Sequence, residues 1–165
     1  MTKLGIHAKK QKGVPGYWIV AKSGSLGVQL KFDTGAINTV ISSEVYYGSI
    51  SDDVQKKIVS SLDLRKVKKK EFTSASGGTF VGYLVSANNF RMGDVIIPAF
   101  RYYMIIENKR TVALLGEDFI DACRYEHDSY GDVVIHEIDE KYFEDSEGTI
   151  SEEDMISVID EILAE

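Results

Sequence analysis

The sequence predicts a single all-β domain whose strands either close into a barrel or pack as a sandwich. Short apolar segments recur along the chain, separated by turns that contain glycine, asparagine or aspartate. Long helical segments do not alternate with these strands, which argues against a parallel α/β fold. A chain of 165 residues can bury a packed core without disulfides or a structural metal.

The first half of the chain contains three predicted strands and one helix. Residues 17–21 and 28–32 are predicted to pair as a hairpin, because the second segment alternates apolar and polar side chains. Residues 39–41 are a β-branched run that is typical of the next strand. Ser51, followed by two aspartates, is a predicted helix N-cap.

The second half adds more strands and one short helix. A hairpin is predicted around Gly77 and Gly78, with residues 66–72 and 79–86 as its two arms. A short helix is predicted to follow Gly116 and to run to about Cys123. The remaining strands are predicted over residues 90–97, 100–106 and 132–138.

Charge divides the chain into a body and a tail. Residues 1–136 carry 18 Lys and Arg against 14 Asp and Glu, whereas residues 137–165 carry one base against 12 acids. We predict a flexible N-terminal segment over residues 1–14, a folded domain over 15–138 and an acidic tail over 139–165. Within the tail, Ser151 is a predicted cap for an amphipathic helix. One interpretation is a solvated acidic terminus whose helix docks on the body or serves in assembly. The other is that the tail folds back over the cleft or over the hairpin arm at residues 66–72 and restrains activity.

The most informative residues are Asp33, Thr34, Gly35 and Ala36, which stand where one predicted strand ends in a tight turn. An acid between two apolar strands, beside a glycine, occupies a position that the fold defines. Together with residues 113–116, an apolar segment that ends in glycine before a short helix, they resemble the two signatures of the retropepsin-like aspartic proteases. The glycine-bearing hairpin falls where that family has its flap.

This resemblance implies a closed acid-protease barrel with a flap, one or two short helices and a C-terminal helical tail. It also implies peptide-bond hydrolysis by two carboxylates that share one proton over one water. The chain has one Asp-Thr-Gly triplet, so a pair requires a homodimer in which each copy contributes Asp33. By resemblance, Thr34 bonds across the dimer, Gly35 donates its N–H to the carboxylate, and Ala36 packs the loop.

The resemblance also implies that Ser76, Gly77 and Gly78 form a flap tip over an extended peptide substrate. Two alternatives remain open at this stage. Asp33 is also compatible with an ordinary turn acid that caps its own backbone, and the two glycines with an ordinary hairpin turn. The same fold could also serve as a non-catalytic dimeric module that binds extended peptide segments.

Other function classes have little support in the sequence. We expect no cofactor and no metal, because the histidines form no ligand motif and residues 143–154 lack the first carboxylate of a calcium loop. We expect no nucleic-acid partner, because the weakly basic body has no basic motif interleaved with aromatic residues. Apolar runs are too short to cross a membrane. One cysteine and the absence of a secretory signal favour the cytoplasm.

Overall fold

The computed structural model describes residues 1–74, 77–107, 111–144 and 147–165. In these ranges the helices are α1 (Glu44–Tyr47), α2 (Asp52–Leu64), α3 (Glu117–Ile120) and α4 (Glu152–Leu163), with a 3₁₀ turn over Glu140–Phe143. The strands are β1 (Thr2–Gln11), β2 (Val14–Ser23), β3 (Leu26–Phe32), β4 (Val40–Ser42), β5 (Lys69–Thr73), β6 (Thr79–Ala87), β7 (Phe90–Met92), β8 (Val95–Ile97), β9 (Phe100–Ile105), β10 (Ala113–Leu115), β11 (Cys123–His127), β12 (Val133–Ile138) and β13 (Ile150–Ser151).

The strands form a mixed sheet with the main order β11-β12-β1-β2-β3-β10-β4-β9-β6-β13. Most neighbours are antiparallel, but β10 runs parallel to β3, β4 to β9 and β13 to β6. The chain is therefore mostly β, with helices α2 and α4 in addition to the sheet that the all-β prediction implied. Across the described residues the sheet runs from β11 to β13 without closing, so the expected closed barrel is not observed.

The core lies between the sheet layers and beneath α2 and α4. Leu30, Ile41, Ile58, Met104 and Leu115 are fully buried within one contiguous apolar cluster. The two helix N-caps predicted from sequence are present, because the hydroxyls of Ser51 and Ser151 accept bonds from N–H groups three residues on. These caps fix where α2 and α4 begin.

The N-terminal segment is a strand, contrary to the flexible segment expected for residues 1–14. Leu4, Ile6 and Ala8 of β1 are buried, and β1 pairs with both β12 and β2. Gly5 has φ +67° where the register with β12 shifts. A bulge at this glycine lets the buried alternation continue on both sides of it.

Two other segments also differ from the predictions. Residues 90–97 are a hairpin of β7 and β8 rather than one strand, because Gly93 turns the chain at φ +58°. Residues 123–127, expected to lie at the end of the helix and beyond it, form edge strand β11. Four of its five side chains are exposed, so the strand has no apolar alternation that sequence could reveal.

The acidic tail is docked on the body. Strand β13 pairs with residues 85 and 86 of β6, the Lys68 N–H donates to the Gly148 carbonyl at 2.9 Å, and α4 packs against α2 and β6. Met155 and Ile159 of the predicted apolar stripe are buried, whereas Leu163 is exposed. This is the docked arrangement that the sequence left open.

Glu152, the first residue of α4, anchors the tail in the core. It is a buried carboxyl that accepts hydrogen bonds from the Ser23 and Tyr102 hydroxyls. Desolvation raises its pKa above the ordinary value of 4.5, although the Tyr102 hydrogen bond opposes that shift. The folded chain therefore holds a proton at Glu152 more tightly than the unfolded chain does.

We expect the Glu152→Gln variant to have a weaker pH dependence of stability than the wild type. The raised pKa of Glu152 stabilises the folded chain. This stabilisation is complete below about pH 4.5 and is lost as the pH rises through the pKa of Glu152 in the folded chain. The wild type should therefore gain unfolding free energy relative to Glu152→Gln on going from about pH 8 to about pH 5. Urea unfolding measures this difference, with exposed Glu153→Gln as the matched control. A loss in the wild type relative to Glu152→Gln over that range would contradict the prediction.

Candidate active site

Asp33 stands at the point where β3, β4 and β10 meet. It directly follows β3, and its N–H donates to the Leu115 carbonyl at 3.0 Å. Strand β10 lies between β3 and β4, parallel to the first and antiparallel to the second. The chain from Asp33 to Thr39 must therefore cross the end of β10. This strand supports the loop that connects β3 to β4.

The Asp33 carboxylate is held by its own loop. The Gly35 N–H donates to Asp33 Oδ1 at 2.9 Å, as the family resemblance implies. The Ala36 N–H donates to the Asp33 carbonyl at 3.2 Å. Asp33 remains only partly buried. An ordinary aspartate turn makes the same side-chain bond, so this bond alone does not distinguish catalysis from turn capping.

Gly116 is the closest backbone contact of the site. A β-carbon at this position would lie 2.5 Å from the Asn38 carbonyl carbon and oxygen, and 2.8 Å from the Ala36 oxygen. The next N–H, of Glu117, donates to the Ala36 carbonyl at 2.7 Å. Only glycine lets the β10–α3 turn approach the Asp33 loop this closely.

Asp118 holds the Thr39 end of the Asp33 loop in place, a role that was not predicted from the sequence. Its carboxylate accepts the Thr39 N–H at 2.9–3.0 Å and the Thr39 hydroxyl at 2.6 Å. The same hydroxyl accepts the Gly116 N–H at 3.1 Å. Desolvation raises the pKa of Asp118, while the bonds from Thr39 oppose that shift. The sequence indicates this role only through the position of Asp118, an acid in the first turn of the short helix that follows Gly116.

The hairpin of β5 and β6 stands beside this loop. The Ser74 N–H donates to the Gly78 carbonyl at 2.8 Å, and the Gly77 N–H donates back to the Ser74 carbonyl at 2.9 Å. Gly77 has φ +89°, which favours glycine. Gly77 and Gly78 are exposed, and Ser76 lies outside the described residues.

A groove of about 370 Å³ separates the hairpin from the loop. Gly35–Asn38 form one wall and residues 70–73 with Phe80 the other, while apolar side chains of β4 and β10 lie between them. The Lys70 ammonium donates to Asn38 Oδ1 at 2.6 Å and bridges the two walls. Asp33 itself does not line this groove.

The structure thus brings Asp33, Gly35 and Ala36 into one loop, with Gly77 and Gly78 at the tip of the adjacent hairpin. The Thr34 side chain is exposed and has no hydrogen-bond partner in the described ranges. Ile37, one residue beyond the motif, is 69% exposed. The outer surface of the loop is therefore uncovered in the single chain.

Within the described ranges, no group of three or more His, Cys, Asp or Glu side chains could hold a metal ion. Burial raises the pKa of the lone thiol, Cys123, to about 12, which makes it a poor nucleophile. None of the helices described here is long and apolar enough to cross a membrane.

No family model matches the chain, and no curated protein matches it. Among solved structures, it is similar to the crystal structure of a retropepsin-like aspartic protease from Rickettsia conorii. The sequence identity is 20%, the match covers 82% of this chain and 98% of that chain, and the TM-score is 0.49.

Proposed function

We propose that two copies of this chain form an aspartic endopeptidase of the retropepsin type. One observation carries the proposal: Asp33 is presented on an uncovered loop and fixed by the Leu115 carbonyl and the Gly35 N–H. The bond to Leu115 continues the parallel pairing of β10 with β3, so the end of the sheet holds the backbone of Asp33 in place. A carboxylate that must meet its symmetry mate needs a fixed position.

The chemistry follows from two such carboxylates in contact. Two close carboxylates cannot both ionise easily, so the pair shares one proton. The ionised member draws a proton from a bound water, which attacks the peptide carbonyl carbon, while the protonated member donates its proton to the carbonyl oxygen. Collapse of the tetrahedral intermediate breaks the C–N bond. The carboxyl that took the water proton donates it to the leaving amine, and a hydroxyl of the intermediate returns its proton to the other carboxylate.

The self-association that this requires has support at the surface of the single chain. Thr34 and Ile37 are exposed beside Asp33. Among the described strands, edge strand β11 pairs with β12 alone, so its outer hydrogen-bonding groups are open there. An antiparallel pairing of two β11 strands centred on Tyr125 would set Arg124 of each copy opposite Glu126 of the other, a favourable cross-strand pair.

The groove between loop and hairpin suits an extended peptide, because β5 offers a strand edge and Phe72 and Phe80 offer apolar contacts. A second candidate function is a dimeric module that binds such peptides without cutting them. The observation that favours it is that Gly35–Asn38 line the groove whereas Asp33 does not. Turnover distinguishes the two functions, since both predict binding.

The test of the proposed enzyme is the dependence of its rate on chain concentration. Because only the dimer carries a complete pair, hydrolysis of a denatured protein per chain should fall with dilution through the dimer dissociation constant. We expect the total rate to approach the square of concentration in the dilute limit. A rate strictly proportional to chain concentration, with a monomer in sedimentation, would contradict the proposal.

Charge variants on β11 sharpen this test. In the proposed dimer, Arg124→Glu places the new glutamate of each copy opposite Glu126 of the other, which makes two like-charge pairs. At roughly 0.2–1 kcal/mol for each altered pair, the variant should weaken association by about tenfold. Adding Glu126→Arg restores complementarity and should recover most of that loss. If the double variant associates no more tightly than Arg124→Glu alone, the two chains do not pair through β11, even if a dimer forms.

A further inference from the structure

A cationic surface on the outer side of the sheet is separate from the Asp33 site. Trp18, Val20 and Lys22 alternate outward along β2, and Val20 is 67% exposed. Directly paired residues of neighbouring strands project to the same face, so the register extends this surface across β1, β3 and β7. We call it the Trp18 face, defined by Lys9, Trp18, Val20, Lys22, Lys31 and Arg91.

The cations of the Trp18 face make no ion pairs with other described residues. Trp18 is flanked by Lys9 on one side and Lys31 on the other, and Lys22 stands opposite Arg91. None of these four cations forms an ion pair in the parts of the chain that the structure describes. Like charges directly opposite each other destabilise a sheet, and Lys22 and Arg91 form such a pair in a chain of net charge −7.

A groove of about 550 Å³ runs along this face between β1 and the β7–β8 hairpin. Its apolar surface comes from Trp18, Val20 and Val95, while its cationic side chains come from β1. Asp94 is the one acid among its lining residues. A volume in this range fits a bound ligand or a short peptide segment.

We propose that the Trp18 face is a docking surface for an acidic, extended segment of another protein that also carries apolar side chains. Such a segment supplies carboxylates for the lysines and apolar groups for Trp18 and Val20. Single-stranded nucleic acid is a poorer fit, because it binds by stacking successive bases on several aromatic side chains. This groove has one tryptophan among aliphatic residues.

Trp18 is the single tryptophan of the chain, so its fluorescence reports directly on occupancy. The probe is a capped octapeptide of alternating Glu and Leu, titrated into the Asp33→Asn chain so that hydrolysis cannot consume it. We expect a saturable change in Trp18 emission that weakens with added salt. The same peptide with Lys in place of Glu, and a thymidine oligonucleotide, serve as probe controls.

Lys9→Glu with Lys31→Glu should weaken binding of the acidic peptide by at least about tenfold. The matched control is Lys56→Glu with Lys141→Glu, which makes the same change in net charge at exposed positions elsewhere. The milder pair Lys9→Gln with Lys31→Gln should shift binding in the same direction if the Glu pair does not fold. Unchanged binding in a folded Lys9/Lys31 pair, equal binding of the Lys peptide, or binding of the oligonucleotide alone would overturn the proposal. These outcomes do not depend on whether Asp33 is catalytic.

Discussion

Asp33→Asn should abolish peptide hydrolysis while leaving the chain folded and able to associate. The amide oxygen of Asn can still accept the Gly35 N–H, so the loop keeps its conformation. It cannot take a proton from water, and positioned acid–base groups contribute about 10²–10⁴-fold to rates. We expect a loss of at least about 1,000-fold in turnover of a denatured protein, with the unfolding free energy changed by less than about 1 kcal/mol.

Mixing the two chains makes this prediction specific to a shared pair. An excess of Asp33→Asn chain should suppress wild-type activity, because mixed dimers carry one carboxylate only. Asp53→Asn, an exposed change in the first turn of α2, is the matched control and should neither lose activity nor suppress it. If Asp33→Asn is inactive but has no effect on the wild type at any ratio, Asp33 acts within one chain and the dimeric mechanism is wrong.

Sequence predicted those parts of the fold in which local pattern and burial agree. The segment from Val28 to Phe32 alternates because one side is buried, and Ser51 and Ser151 cap helices through bonds within a single turn. Strand β1 was missed although Leu4, Ile6 and Ala8 alternate, because a glycine and several lysines mask the pattern. Strand β11 carries no apolar pattern, since it lies at the edge of the sheet.

The candidate site was predictable from sequence only where its residues carry a local pattern, and not where a role depends on contacts between distant residues. The Asp33 loop and Gly116 carry local signals: a turn acid beside glycine, and an apolar strand that ends in glycine. The role of Asp118 depends on contact with Thr39, 79 residues away, which only the topology creates. The charge of the Trp18 face likewise comes from residues scattered over β1, β2, β3 and β7, so composition indicated only a weakly basic body.

Among the possible glycine-to-alanine changes, Gly116→Ala should destabilise the chain most. The new β-carbon would lie 2.5 Å from the carbonyl carbon and oxygen of Asn38, which belong to backbone that cannot rotate away. Inserting a methylene into a packed region typically costs 1–3 kcal/mol, and here the neighbour is itself tied to Asp118 through Thr39. We expect a loss of about 3 kcal/mol or more in the free energy of unfolding, measured by urea denaturation.

Gly27→Ala is the matched control, because it adds the same methyl group to β3, where no other residue lies within 4 Å of the new β-carbon. It should change stability by less than about 0.5 kcal/mol, or raise it slightly, since alanine restricts the unfolded chain. The contrast isolates the approach of the Gly116 turn to the Asp33 loop from the general effect of replacing glycine. If the two variants unfold at the same urea concentration, the loop is free to move away from β10. A loop that moves in this way could not hold two Asp33 carboxylates within reach of one water.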